Sequence, residues 1–288
     1  GSELEREAQL THAHEYMHAL QDQYFTLANI QNGSLDSDAT LALRALAEGE
    51  ASLVEFVYER SGYLTGEQNA DSDPVFTVPE SIPAPNVLVS QLSFPYVRGL
   101  EFLSGFYAEN GFEGVTEVWQ RPPISTEQIL HPDRYLAGDD PIGVMLPDDQ
   151  IMTALGDGWV QIADDVFGEF YLIEYLGSVL EEDVVRPATT GWGGDRYAVF
   201  YNPTLEDRVM VMKTVWDSPA DLEQFVEAYF QYAELWMGTP TLEDGAVTCW
   251  QNLGDDQCFI VTADSAIVTR SDTSELRELI NEIMLDAK

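Results

Sequence analysis

The feature that most constrains this chain is residues 14–18, His-Glu-Tyr-Met-His, which have the pattern H-E-x-x-H. Residues four apart lie on one face of an α-helix, so both histidines can bind one metal ion if the segment is helical. A helix is favoured because Leu10, Ala13, Met17 and Leu20 recur at helical spacing, without Gly or Pro from residue 3 to 32. The segment therefore predicts a metal-binding helix over residues 3–30. The alternative is a chance match between surface histidines.

The chemistry of this pattern assigns a role to each of its charged residues. Zinc enzymes use a helical H-E-x-x-H to hold the ion with both histidines, while the glutamate accepts a proton from water. We therefore predict that His14 and His18 bind Zn²⁺ and that Glu15 acts as the general base.

The net charge is the second strong constraint. Fifty-one acidic and thirteen basic residues give a formal net charge of −38, and the acidic residues are spread along the chain. With 45% hydrophobic residues, this composition predicts a folded protein with an acidic surface, as in proteins of halophilic organisms. Phosphate contacts require Lys and Arg, so we expect no nucleic-acid partner. No apolar run approaches the roughly 20 residues of a membrane span, and no signal peptide is recognisable.

The two cysteines predict a cross-link and a location. Cys249 and Cys258 flank a polar stretch centred on residues 254–256, which is typical of a hairpin turn. A disulfide across that hairpin is favoured, and with it an extracytoplasmic protein, secreted or attached to the cell surface. The alternative is a pair of reduced or buried thiols.

The hydrophobic pattern predicts an α+β fold with two domains. Residues 1–186 form a mainly helical region, with helices at 38–60 and 94–110, a short helix ending before Pro122, a capped turn at 125–128 and a helix at 162–180. Residues 62–86 form a long loop. Residues 187–288 form an α+β module with an antiparallel sheet, with strands at 196–201, 208–216, 246–251, 257–262 and 266–270 and helices at 222–236 and 276–285.

Three segments together resemble the gluzincin metallopeptidases, which combine H-E-x-x-H with a downstream glutamate. The first is residues 14–18. The second is Glu48-Gly49, similar to the Glu-Gly segment that supplies the third zinc ligand from a following helix. The third is residues 95–99, Pro-Tyr-Val-Arg-Gly, similar to a Pro-Tyr-x-x-Gly segment whose tyrosine stabilises the tetrahedral intermediate. The resemblance implies Glu48 as a ligand and Tyr96 as a catalytic residue.

The helical positions around Glu48 agree with this assignment. Glu48 shares a helical face with Leu41 and Ala45, so it can point inward, whereas Glu50 lies about 200° round the helix. Glu55 lies on the same helical face as Glu48. In a chain this acidic, a solvated acidic face is nevertheless the default expectation for both Glu50 and Glu55.

The chain departs from the gluzincin pattern in several places. Ser52 stands where a thermolysin-like site has an aspartate supporting a zinc histidine, and Asp22 is a substitute candidate. Gluzincins normally have a sheet before the zinc helix, and almost nothing precedes that helix here. Residues 14–23 and 123–132 also resemble a group of uncharacterised prokaryotic zincin-like proteins.

Two functions follow from these patterns. The first is a zinc peptidase acting on peptide or protein substrates, in which Tyr96 or His131 donates a hydrogen bond to the developing oxyanion. The second is a secreted or cell-surface binding module that retains a relic zinc site. A purely structural zinc is a weaker third alternative, because three protein ligands leave an open position. The sequence does not determine the oligomeric state.

Overall fold

The computed structural model describes residues 5–25, 35–64, 84–252 and 255–286. The chain forms two compact units, Gly1–Asp139 and Asp140–Lys288. Helices and a seven-stranded antiparallel sheet together make an α+β protein, which confirms the predicted fold class. No helix in the described ranges is long and apolar enough to cross a membrane.

The described residues of the first unit fold into helices: α1 (Arg6–Phe25), α2 (Ser37–Arg60), α3 (Asn86–Gln120), α4 (Thr126–Leu130) and α5 (Pro132–Ala137). The last five residues of the predicted first helix and most of the predicted loop at 62–86 lie outside the described residues. The capped turn predicted at 125–128 is the start of α4, where the Ser125 side chain accepts from the backbone N–H of Gln128.

Helices α2 and α3 form the framework of the first unit. Asp36 caps α2, because its side chain accepts a hydrogen bond from the backbone N–H of Ala39 at 2.8 Å. The apolar face of α2 is buried, including Leu41, Leu46 and Leu53. Helix α3 begins eight residues earlier than the predicted 94–110 helix, at Asn86, and is interrupted at residues 110–111, where Gly111 has φ +62°.

The second unit is built around the sheet, whose strand order is β1-β2-β3-β7-β6-β5-β4 with every neighbouring pair antiparallel. Its elements are α6 (Asp148–Leu155), β1 (Val160–Asp165), α7 (Gly168–Gly177), α8 (Glu182–Thr189), β2 (Trp192–Asn202), β3 (Asp207–Trp216), α9 (Pro219–Met237), β4 (Leu242–Asp244), β5 (Val247–Asn252), β6 (Asp255–Val261), β7 (Ser265–Ser271) and α10 (Ser274–Asp286). The five predicted strands correspond to β2, β3, β5, β6 and β7.

Two predictions for residues 140–190 are wrong. The helix predicted at 162–180 is instead strand β1 followed by α7, because pairing of β1 with β2 outweighs the local helical pattern. The predicted domain boundary at 186/187 falls inside α8, whereas the units divide at 139/140. The physical reason is that β1 belongs to the sheet, and that α7 and α8 pack in the same core as strands β2 and β3.

The sheet has a hydrophobic core on each face. One face packs Trp192, Met212 and Phe259 against α7, α8 and α9. The other packs Phe200 and Val211 against residues of α6 and α10. Cys249 and Cys258 lie opposite each other on β5 and β6 and form a buried disulfide, as predicted.

Candidate metal centre

Three potential ligand atoms converge between α1 and α2. Nε2 of His14, Nε2 of His18 and Oε2 of Glu48 form a triangle in which each side is 3.2 Å. Zinc bonds of about 2.0–2.1 Å in tetrahedral geometry place neighbouring ligand atoms about 3.3 Å apart. The triangle therefore fits three corners of a zinc tetrahedron. In the described part of the chain, this is the one group of His, Cys, Asp and Glu side chains with such a geometry.

A glycine contact between α2 and α3 brings the third ligand and Tyr96 together. A Cβ atom added to Gly99 would lie 1.9 Å from the carbonyl oxygen of Ala45, and one added to Gly49 would lie 2.3 Å from the carbonyl carbon of Gly99. The two helices can therefore approach this closely only because both positions lack a side chain. Glu48 is adjacent to Gly49, and Tyr96 is one turn before Gly99. The glycines in both gluzincin-like segments are thus helix-packing residues here.

A buried hydrogen-bonded chain fixes His18. The side-chain NH₂ group of Gln21 donates to the carbonyl oxygen of Ala47 at 3.0 Å and to Oε2 of Glu50 at 2.9 Å. Those two bonds orient the amide so that its oxygen faces Nδ1 of His18, 2.8 Å away. Nδ1 must therefore carry the proton, which leaves the lone pair of Nε2 for a metal. Trp119 donates to the same Glu50 oxygen at 2.8 Å and completes the chain.

His14 is held by different partners. Its Nδ1 lies 3.5 Å from Oε2 of Glu55, a carboxylate that can only accept a hydrogen bond when ionised. This contact again places the proton on Nδ1 and leaves Nε2 for the cluster. The ring of Tyr96 stacks on the His14 ring, with centroids 6.2 Å apart and planes tilted by 21°.

The electrostatics of the cluster match its hydrogen bonds. Hydrogen bonds to Glu48 and Glu55 raise the pKa of His14 to about 9, against the opposing effect of burial. The pKa of His18 is also raised, chiefly by its hydrogen bond to Glu48. Burial raises the pKa of Glu48, but its bonds to the two histidines outweigh that effect and lower the pKa to about 2. Glu48 is therefore ionised throughout the neutral pH range.

Tyr96 and Glu15 lie beside the ligands. Burial, the negative charge of Glu48 and a hydrogen bond to Glu48 raise the pKa of Tyr96, and the charge of Glu15 raises it further. The Tyr96 hydroxyl therefore stays protonated at neutral pH and keeps a hydrogen to donate. The Glu15 side chain is solvent-exposed on α1.

The structure places the other residues considered in the sequence, Glu50, Asp22 and His131, differently from one another. Glu50 is buried, with 4% of its surface exposed, so its assignment to a solvated face is wrong. Gln21, rather than the neighbouring Asp22, supports a histidine. His131 joins α4 to α5, where its backbone N–H donates to the carbonyl oxygen of Glu127. It is not part of the group of ligand atoms, and its catalytic role stays a prediction.

Sequence reasoning missed the residues that support the ligands. Gln21 lies three positions after His18, and Glu55 lies seven positions after Glu48, so helical spacing places each on the correct face. That spacing was the available signal for both. No local signal identified Trp119, because it reaches Glu50 from a position 69 residues away.

Comparison with known proteins adds a finding on the second unit. Residues 157–279 match the model of a family described as a domain of unknown function, DUF8575. No curated protein and no solved structure matches the chain. The matched range begins after the first unit ends, so it does not include His14, His18 or Glu48.

Proposed function

We propose that this protein is a zinc-dependent peptidase, with His14, His18 and Glu48 as the zinc ligands. The observation that carries the proposal is the 3.2 Å triangle of ligand atoms on the H-E-x-x-H helix and its neighbour. Structural zinc sites usually have four protein ligands, whereas catalytic sites have three and keep an open position. The three-member group in the described residues supports a catalytic site.

Each nearby polar residue has a task in this proposal. Zinc, when bound, would supply a Lewis acid that makes water more acidic and polarises a carbonyl group. Glu15 accepts the proton from the attacking water and returns it to the leaving amine. Tyr96 donates a hydrogen bond to the oxyanion of the tetrahedral intermediate. Its raised pKa keeps that hydrogen in place over the neutral pH range.

The disulfide supports an extracytoplasmic location as part of the same proposal. Disulfides form and persist mainly in oxidising compartments. The buried disulfide between Cys249 and Cys258 is consistent with folding in such a compartment.

The first test separates metal binding from catalysis. We expect one zinc ion per chain by elemental analysis, lost in His14→Ala and Glu48→Ala. Glu15→Gln should keep the zinc and lower peptide hydrolysis by about 10²–10⁴-fold, the usual contribution of a general base. Asp22→Asn, an exposed carboxylate on the same helix, is the matched control and should retain both properties. Hydrolysis would be measured on a mixed peptide library by mass spectrometry.

The outcomes distinguish the alternatives. Full hydrolysis by Glu15→Gln would contradict the assigned base. A full complement of zinc without hydrolysis of any library peptide would instead favour a binding module with a relic site. Absence of zinc after reconstitution would contradict the metal centre itself.

A further inference from the structure

A cavity of about 590 Å³ lies in the second unit, on the sheet face that α6 and α10 cover. Its volume is in the range of roughly 300–1,000 Å³ that small-molecule sites occupy. Most of the side chains that line it are apolar, including those of Ile142, Val144, Leu146, Val215, Ile267 and Met284. It is independent of the proposed zinc chemistry.

Lys213 is the one basic side chain in this wall. It lies on β3, on the same face as Val211 and Val215, because side chains alternate along a strand. The chain has two lysines in total, Lys213 and Lys288, among 51 acidic residues. A half-buried lysine among apolar side chains is therefore an exception to the composition of this protein.

The pairing of the other basic residues makes Lys213 more distinctive. Every arginine of the second unit pairs with a carboxylate: Arg186 with Glu182, Arg196 with Asp164, Arg208 with Asp272, Arg270 with Asp255, and Arg277 with Asp256 and Glu278. Within the described residues of this unit, Lys213 alone among basic side chains has neither an ion pair nor a hydrogen bond. A partly desolvated charge gains most from a ligand of opposite charge.

The other polar groups at the cavity define what else a ligand would meet. Gln150 in the first turn of α6 lines the wall, and Pro147 at the start of that helix provides no side-chain cap. Asp286, an exposed carboxylate at the end of α10, also lines the cavity and forms no ion pair with Lys213. The cavity therefore offers one cation, one anion that does not pair with it and one side-chain amide, among lining side chains that are mainly apolar.

We propose that this cavity binds a small organic carboxylate with an apolar body. The carboxylate pairs with the Lys213 ammonium, and the apolar body contacts the side chains of Val215, Ile267 and Met284. A simple apolar acid and an apolar amino acid share this chemistry. They differ in the ammonium group of the amino acid, which Asp286 is placed to recognise.

The test uses the full chain labelled with ¹³C at its methionine methyl groups, because Met145 and Met284 both line the cavity. The protein would be titrated with 4-methylpentanoate, with leucine and with the uncharged 4-methylpentanol. We expect the Met145 and Met284 signals to shift with a carboxylate and not with the alcohol at the same concentration. Tighter binding of leucine than of 4-methylpentanoate would support recognition of the ammonium by Asp286, and the reverse order would support the simple acid.

Variants of Lys213 test whether its ammonium group is the charge that binds the carboxylate. Lys213→Gln should weaken carboxylate binding by about tenfold or more, the effect of losing one charge-assisted contact. Lys213→Arg should retain binding. Arg186→Gln removes the same charge from an exposed ion pair outside the cavity and should change nothing. Lys213→Met, which matches the apolar walls, is a second neutral variant if Lys213→Gln fails to fold.

Three results would overturn the proposal. One is equal affinity of the wild type and a folded neutral variant for the carboxylate. Another is binding of the alcohol as tightly as the acid. The third is an unchanged methionine spectrum with both carboxylates.

Discussion

Gln21 is a neutral amide in a position where zinc proteins often place a carboxylate or a backbone carbonyl. It orients His18 through one oxygen, and its own orientation is fixed by Ala47 and Glu50. The Glu50 carboxyl oxygen thus orients the histidine indirectly, through the amide. We therefore regard Gln21 as a positioning residue, which would act on a bound metal only through His18.

Replacing Gln21 tests this role against that of its neighbour. We expect Gln21→Ala to weaken zinc binding by about 10–100-fold, as losses of outer-shell partners usually do. Asp22→Ala, the candidate chosen from the sequence, should have no effect because its side chain is exposed. Zinc affinity would be measured by competition with a chromogenic chelator. Equal losses in the two variants would contradict the assignment.

The raised pKa of His14 predicts how zinc affinity changes with pH. A histidine must be neutral to bind zinc, and metal-free His14 is protonated below its pKa of about 9. Zinc binding therefore displaces a proton at neutral pH, and affinity should rise about tenfold per pH unit between pH 6 and pH 8. Calorimetry in buffers of different ionisation enthalpy would count the protons released. Affinity independent of pH over that range would contradict this prediction.

At the scale of helices, the contact between α2 and α3 predicts that alanine has opposite effects on stability at two glycines of α3. Gly99→Ala should destabilise the protein by about 1–3 kcal/mol or more, because a backbone carbonyl blocks the new methyl group. Gly105→Ala on the same helix meets no atom within 4 Å and should stabilise it by about 0.5–1 kcal/mol. Urea unfolding followed by circular dichroism would give both values.

Zinc affinity provides a second measurement for this pair of variants. Gly99→Ala should also weaken zinc binding, since Glu48 and Tyr96 depend on the same helix contact. Gly105→Ala should bind zinc normally. A Gly99→Ala protein as stable as the wild type would show that the helices separate without cost.

The elements differ in how well the sequence predicted them. Ser125 marked a helix start correctly, because a capping side chain acts on its own local backbone. Strand β1 was missed because its six residues are stabilised by a partner strand that begins more than 25 residues later. The convergence of His14, His18 and Glu48 was predictable for the related reason that these residues follow helical spacing. The buried position of Glu50 could not be predicted in this way, because it depends on a hydrogen bond from Trp119 on another helix.

At the scale of the whole molecule, the net charge of −38 predicts a dependence of stability on salt. Repulsion among surface carboxylates opposes the compact state, and salt screens it. We expect the melting temperature to rise by at least about 2–4 °C in concentrated KCl, the shift that roughly 1 kcal/mol produces in a domain of this size.

The concentration dependence separates screening from general salt effects. Most of the increase in melting temperature should occur below about 1 M KCl, because the Debye length has fallen to about 3 Å by that concentration. Differential scanning calorimetry from 0.1 M to 3 M KCl would measure it, with sucrose as a control that stabilises without screening. A melting temperature that does not change below 1 M would contradict the prediction.

The positions of the candidate metal ligands have a consequence for how the chain responds to its surroundings. Zinc on these residues would be a cross-link, closing a loop of 30 to 34 residues between α1 and α2, as the disulfide closes a loop of 9 residues in the second unit. Loop closure entropy grows slowly with length, so the two cross-links differ by only about 1 kcal/mol in this respect. The two cross-links are broken by different reagents, because a chelator would remove the zinc and a thiol would reduce the disulfide. Each unit would then be loosened by its own chemical signal while the other keeps its constraint.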